Sequence, residues 1–159
     1  MFDNGANPSL RVNLYGNGFQ KSEAPERLCY QGSFMPDELP DRMEGDFGLI
    51  WDGLSAETCT GNTGEYLRYN NPNKTSLYLS AGMPVIVWRE AAIAQYVQAN
   101  NVGLLIDTLY ELEDTIRSVS NEHYEVMCKN AAALAKKLHE GYYFKKALKD
   151  AVQIIEMTD

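Results

Sequence analysis

The apolar positions of the chain fall into short β-rich runs separated by stretches with helical spacing. This alternation of strand and helix units builds a parallel sheet. Five runs read as strands: Arg11–Tyr15 (RVNLY), Arg27–Tyr30 (RLCY), Phe47–Trp51 (FGLIW), Val85–Trp88 (VIVW) and Val102–Ile106 (VGLLI). The last three are nearly continuous apolar runs, as expected of strands covered on both faces, and should form the buried centre. Pro36–Met43 reads as a short helix interrupted by Pro40, and Thr75–Ala81 as one stopped by Gly82 and Pro84. Ala91–Ala99 follows the fourth strand. Leu109–Val119 follows the fifth, with Leu109, Leu112, Ile116 and Val119 on one stripe. From residue 121 the pattern is helical throughout. Tyr124, Cys128, Ala131, Ala135 and Leu138 recur at helical spacing, Gly141 breaks the run, and Phe144, Leu148, Val152 and Ile155 form a second stripe. The predicted fold class is α/β, a parallel sheet flanked by helices with a helical tail over about 121–159. Asp52–Asn73 stands apart as a long polar loop rich in Gly, Asn and Tyr, with at most a helical turn at Glu65–Tyr69. Loops this long in compact domains are usually functional or disordered.

Length and charge narrow the partners. A chain of 159 residues is expected to be one domain with a real core. With 14 Lys and Arg against 22 Asp and Glu, its formal charge of -8 argues against a nucleic-acid partner, which needs basic residues gathered on one face. Cys29, Cys59 and Cys128 are odd in number and form no CxxC, so neither a disulfide framework nor a zinc site is indicated. Reduced thiols point to the cytoplasm. No apolar run approaches the ~18 residues of a membrane span, and Met1–Leu10 is too polar for a secretion signal.

Ligands of open parallel sheets bind beyond the carboxyl ends of the strands. Three candidate elements lie there: Gly16-Asn17-Gly18, Gln31-Gly32-Ser33-Phe34, and the long loop leading to Asn73-Lys74-Thr75. Asn73 reads as an N-cap, whereas Lys74 sets a positive charge where the helix dipole repels it, at a cost of about 0.3–1 kcal/mol. A bound anion reverses that sign, and the helix amides, the Thr75 hydroxyl and the Lys74 ammonium would form a pyrophosphate site. The alternative is an exposed lysine bent into solvent. GNG lacks the third glycine of GxGxxG and fits a tight turn better than a phosphate loop. His123 and His139, on long helices, read as solvated surface residues. No HExxH, GxSxG, P-loop or DxD occurs, so no catalytic residue is named and no carboxylate pair is placed to hold a metal on a diphosphate.

The run Asn71–Trp88 (NPNKTSLYLSAGMPVIVW) resembles the donor-site signature of nucleotide-sugar glycosyltransferases with two facing Rossmann-like halves, the GT-B architecture. With Gly45–Gly53 (GDFGLIWDG), Gly61–Asn71 (GNTGEYLRYNN) and Gly141-Tyr142-Tyr143-Phe144, the chain is similar to the bacterial β-1,6-galactofuranosyltransferase-like family, which includes the glucosyltransferases of serine-rich adhesins. The likeness covers roughly residues 10 to 157. It implies the C-terminal, donor-binding half of a GT-B fold, with the acceptor-binding half absent from the chain. It also implies transfer of a glucosyl or galactofuranosyl unit from a UDP-sugar to a glycan or glycoprotein acceptor, without a metal.

By the same resemblance Lys74, Thr75 and Asn73 would contact the diphosphate. Tyr30, Gly32 and Phe34 would hold the uracil, and Tyr66, Asn70 and Asn71 would approach the ribose and sugar. One departure is plain: aligned on Gly82, the two Glu common in retaining GT-B enzymes are replaced by Tyr69 and Leu77. The ribose therefore needs another partner, with Tyr66, Asn70 or Asn71 available. The second functional reading is a non-catalytic partner-binding or assembly module that uses the apolar stripe of the last helix, a homo-oligomer being one such assembly. UDP binding separates the two.

Overall fold

The computed structural model describes residues 7–19 and 27–157. Its centre is a parallel sheet in the order β3-β4-β5, formed by β3 (Gly48–Ile50), β4 (Val85–Trp88) and β5 (Gly103–Ile106). Gly48, Leu49 and Ile50 pair with Val85, Ile86 and Val87, and β4 pairs in turn with Gly103–Ile106. All four residues of β4 are at most 1% exposed, which is what its uninterrupted apolar run required. These are the three strands expected at the centre.

Both crossovers move in the same lateral direction, so right-handed connections place their helices on one face. That face carries α3 (Asn73–Ser80) and α4 (Ala94–Asn100), overlaid by α6 (Asn121–His139). Ile50, Val85, Val87, Leu79, Val97, Ala131 and Leu134 close the main core between them. The buried stripe of α6 runs through Met127, Ala131 and Leu134, offset from the expected Tyr124 and Cys128. Gly82, at φ +73, ends the α3 segment in the left-handed region that glycine enters freely. The second face is covered by a 3₁₀ turn (Leu109–Glu111) and α5 (Leu112–Arg117), which pack Leu109 and Leu112 against Ile86 and Ile106. The single helix expected over 109–119 is thus two short pieces joined at Leu112.

β1 (Val12–Tyr15) and β2 (Leu28–Gly32) pair in parallel, but as a sheet of their own. The start of this pair is fixed beyond the carboxyl end of β5. Asn7 Nδ2 donates to the Leu109 carbonyl at 2.9 Å, and Asn7 Oδ1 accepts the Glu113 amide at 2.8 Å. The Ser9 amide donates to Glu113 Oε2 at 2.9 Å. The far end is fixed ahead of β3, where Asn13 Nδ2 reaches the Glu44 carbonyl at 2.7 Å and the Glu44 amide donates to Tyr15 Oη at 2.9 Å. The pair therefore runs from the carboxyl toward the amino end of the main sheet, against its direction. Leu10–Tyr15 line an apolar groove of about 530 Å3 together with Phe47, Leu49 and Ile86. Neither strand of the pair has a buried residue, in keeping with the polar Asn13 and Gln31 within them.

Three more helices lie among the described residues: α1 (Leu39–Arg42) before β3, α2 (Gly61–Tyr66) within the long loop, and α7 (Tyr142–Glu156) last. The loop is more ordered than its composition suggested. Its helix begins four residues ahead of the expected turn, and within it the bare Cα of Gly64 seats against Cys59 and the Asp52 carbonyl. Cys59 is fully buried, and that burial pushes its thiol pKa up. No residue of α7 is buried, and Phe144, Leu148, Ile154 and Ile155 stand exposed on it. No helix among the described residues is long and apolar enough to cross a membrane.

Candidate functional site

The carboxyl edge of the main sheet collects charge. Asp52, Arg89 and Asp107 each follow closely on the last residue of β3, β4 and β5. Arg89 Nε donates to both carboxylate oxygens of Asp107, at 2.9 and 3.0 Å. The Glu111 carboxylate caps this turn by accepting the Asp107 and Thr108 amides. Arg68, at the end of the long loop, pairs with Glu65 at 3.1 Å and with Glu90, and its guanidinium lies 4.6 Å from the Trp88 ring centroid. The Leu67 carbonyl accepts the Ala92 amide at 2.8 Å, tying this loop to the turn after β4.

α3 enters the same edge. Its N-cap is Pro72, whose carbonyl accepts the Thr75 amide at 2.9 Å, so Asn73 is the first helical residue and not the cap. Proline needs no amide partner there, and its fixed φ of -63° already suits the entry to a helix. Lys74 Nζ reaches back to Asp52 Oδ1 at 3.0 Å, with half of the lysine side chain exposed. Thr75 turns elsewhere. It is 1% exposed, its Oγ1 has no hydrogen-bond partner, and it lines a cavity of about 290 Å3. Leu79, Ile93, Leu134 and Leu138 form the apolar wall, and Asn71, Ser76, Tyr96 and Tyr143 supply polar groups. The Tyr96 and Tyr143 hydroxyls are 2.7 Å apart, and burial together with that contact drives the Tyr96 phenol well above its ordinary range.

The expected site residues thus fall into two groups. Lys74, Thr75, Asn73, Asn71, Asn70 and Tyr66 lie on or between α2 and the first turn of α3, at the carboxyl edge. Tyr66 is exposed, and the buried Asn70 Oδ1 has no partner. Tyr30, Gly32 and Phe34 form a separate group with the end of the β1–β2 pair. Tyr30 donates its hydroxyl to the Gly16 carbonyl at 2.8 Å, and Phe34 lies between Tyr15 and the Arg42 guanidinium. Since Arg42 precedes β3, this group faces the amino end of the sheet, and the structure does not gather it with Lys74. The reversed direction of β1–β2 is the physical reason. The two histidines are exposed as expected, yet each ties α6 to a neighbour, His123 to Asn101 and His139 to the Ser80 carbonyl. Asp52, Arg89, Asp107 and Arg68 were not singled out by sequence. The first three sit where an apolar strand run gives way to a charge, which is the signal that could have found them.

Comparison with known proteins gives this edge its context. A family described as "Glucosyltransferase 3-like, C-terminal domain" matches residues 2–151. The chain is 36% identical over 142 residues to the β-1,6-galactofuranosyltransferase WbbI of Escherichia coli (strain K12), covering 87% of the chain and 42% of that protein. It is 32% identical over 117 residues to glucosyltransferase 3 of Streptococcus gordonii, covering 74% and 34%. With glucosyltransferase 3 of Streptococcus parasanguinis the identity is 25% over 136 residues, covering 84% and 39%. The chain therefore spans less than half the length of these relatives. With a family match across nearly its whole length and a parallel α/β fold, the chain belongs to the glucosyltransferase 3-like C-terminal domain family.

Proposed function

We propose that this chain binds the nucleotide-sugar donor, a UDP-hexose, for a glycosyltransferase whose acceptor site and any general base lie outside it. The observation that carries this is Lys74 in the first turn of α3, at the carboxyl edge of a parallel sheet, beside a buried hydroxyl on Thr75 that lacks a partner. Departure of UDP builds negative charge on the diphosphate. A helix N-terminus with an adjacent cation stabilises that charge without a metal. The first helical amides and Lys74 would take the diphosphate, the Thr75 hydroxyl would donate from the neighbouring cavity, and Asn70 Oδ1 would accept from a ribose or sugar hydroxyl. Tyr66, exposed beside them, offers a ring for stacking. Tyr30, Gly32 and Phe34 would serve the base only if the β1–β2 pair lay along the main sheet.

In the longer relatives the exposed stripe of α7 would cover itself against the remainder of the protein, so the stripe does not by itself favour a non-catalytic module. Calorimetry with UDP, without added metal, tests the reading. Binding in the micromolar to millimolar range is expected, and Lys74→Ala should weaken it at least several-fold, because charged hydrogen bonds contribute about 1.5–3 kcal/mol. No heat and no change in thermal midpoint on adding UDP would sink it.

A further inference from the structure

We infer that Asp52 is a resident countercharge that competes with the bound diphosphate for Lys74, and so limits how tightly donor and nucleotide product are held. This rests on the donor-site reading above. Asp52 leaves β3 at the carboxyl edge, and its Oδ1 lies 3.0 Å from Lys74 Nζ. About a third of the Asp52 side chain and half of the Lys74 side chain are exposed, so an anion can reach the ammonium only beside that carboxylate.

The surrounding charges offer no relief. Arg89 is engaged by both oxygens of Asp107, and Arg68 by Glu65 and Glu90, so the carboxylates along this edge outnumber the cations. Lys74, by contrast, has a single contact to one carboxylate oxygen. It is the cation that can exchange its partner at least cost. With the site empty, the pair holds the lysine at the mouth of α3. When a diphosphate arrives, the ammonium passes from carboxylate to phosphate and Asp52 is left facing a like charge. Each release of nucleotide restores the original pair. A site built this way holds UDP loosely and lets it leave quickly.

Replacing Asp52 by Asn keeps an oxygen able to accept from Lys74 and removes the charge. An exposed pair of this kind corresponds to at most about fivefold in affinity, so UDP should bind Asp52→Asn about two- to fivefold more tightly than the parent chain. The affinity of the variant should also fall more steeply with salt. In a Lys74→Ala background the same replacement should give a clearly smaller gain, because the contest for the ammonium is gone and only the repulsion between Asp52 and the diphosphate remains. Asp52→Ala provides a second variant, and thermal midpoints confirm folding of each. Equal or weaker UDP binding by folded Asp52 variants, or a full gain persisting without Lys74, overturns this inference while leaving the donor site standing. Absence of UDP binding by both parent and variants overturns the donor-site reading, and this inference with it.

Discussion

Replacing Thr75 by Val exchanges a hydroxyl for a methyl group of nearly the same shape and removes only hydrogen-bonding capacity. Both residues are β-branched, so helix propensity hardly changes. The side chain is 1% exposed and its Oγ1 has no partner within the chain. A hydroxyl buried in that state costs about 1–3 kcal/mol, and a methyl would instead pack beside Leu79, Ile93 and Leu134. The free chain should therefore gain about 1 kcal/mol, which for a domain of this size raises the thermal midpoint by roughly 2–4 °C. Urea and thermal unfolding measure this directly. Repeating both with UDP completes the test, since a ligand that donates or accepts at Oγ1 stabilises the parent more than the variant. The expected result is a variant more stable when free and less stabilised by UDP. A free variant about 1 kcal/mol less stable than the parent would mean that the hydroxyl is already satisfied. An unchanged response to UDP would remove Thr75 from the binding site.

Two further outcomes follow from the packing. At Gly103 an added Cβ would stand 1.9 Å from the Val85 carbonyl oxygen of the central strand, so Gly103→Ala must push β5 off β4; a loss of about 3 kcal/mol, the upper end of overpacking costs, is expected in urea unfolding, and a change under about 0.5 kcal/mol would refute the contact. The Ser9 amide, and then Arg117, hold the Glu113 carboxyl below its ordinary range; a depressed pKa adds stability above the unfolded value of about 4.3 and loses it as pH falls through the folded one, so Glu113→Gln should be less stable at pH 7 by a margin that closes in acid, and a margin independent of pH would refute the assignment.

The main sheet was legible because its signal is local. Val85–Trp88 is an apolar run bounded by Pro84 and Arg89, and the strand has those limits. Gly82 and Pro84 stopped α3 within a residue of the observed end for the same reason. The β1–β2 pair was legible as two strands but not in its direction. That direction is set by Asn7 and Ser9 binding Leu109 and Glu113, about a hundred residues away, and by Tyr15 and Asn13 binding Glu44. No periodicity within β1 carries such information. α2 was missed in part because its two glycines lower helix propensity, and the close approach of Gly64 to Cys59 is not visible in the sequence.

The candidate site divides along the same line. Lys74 could be singled out from sequence because a cation in the first turn of a helix is a local conflict, visible without any partner. Its resolution was not local. Asp52 lies 22 positions upstream and meets Lys74 only because β3 and β4 pair in parallel, which brings the end of β3 and the start of the following helix to one edge. That same geometry explains why Thr75, adjacent in sequence, answers to different chemistry. One residue along a helix turns the side chain by about 100°, enough to carry Lys74 to the charged edge and Thr75 into the apolar cavity beneath it. A nucleotide that engages both must bridge the edge and the cavity. Asn71, next to this helix start and also lining the cavity, stands where such a ligand would cross.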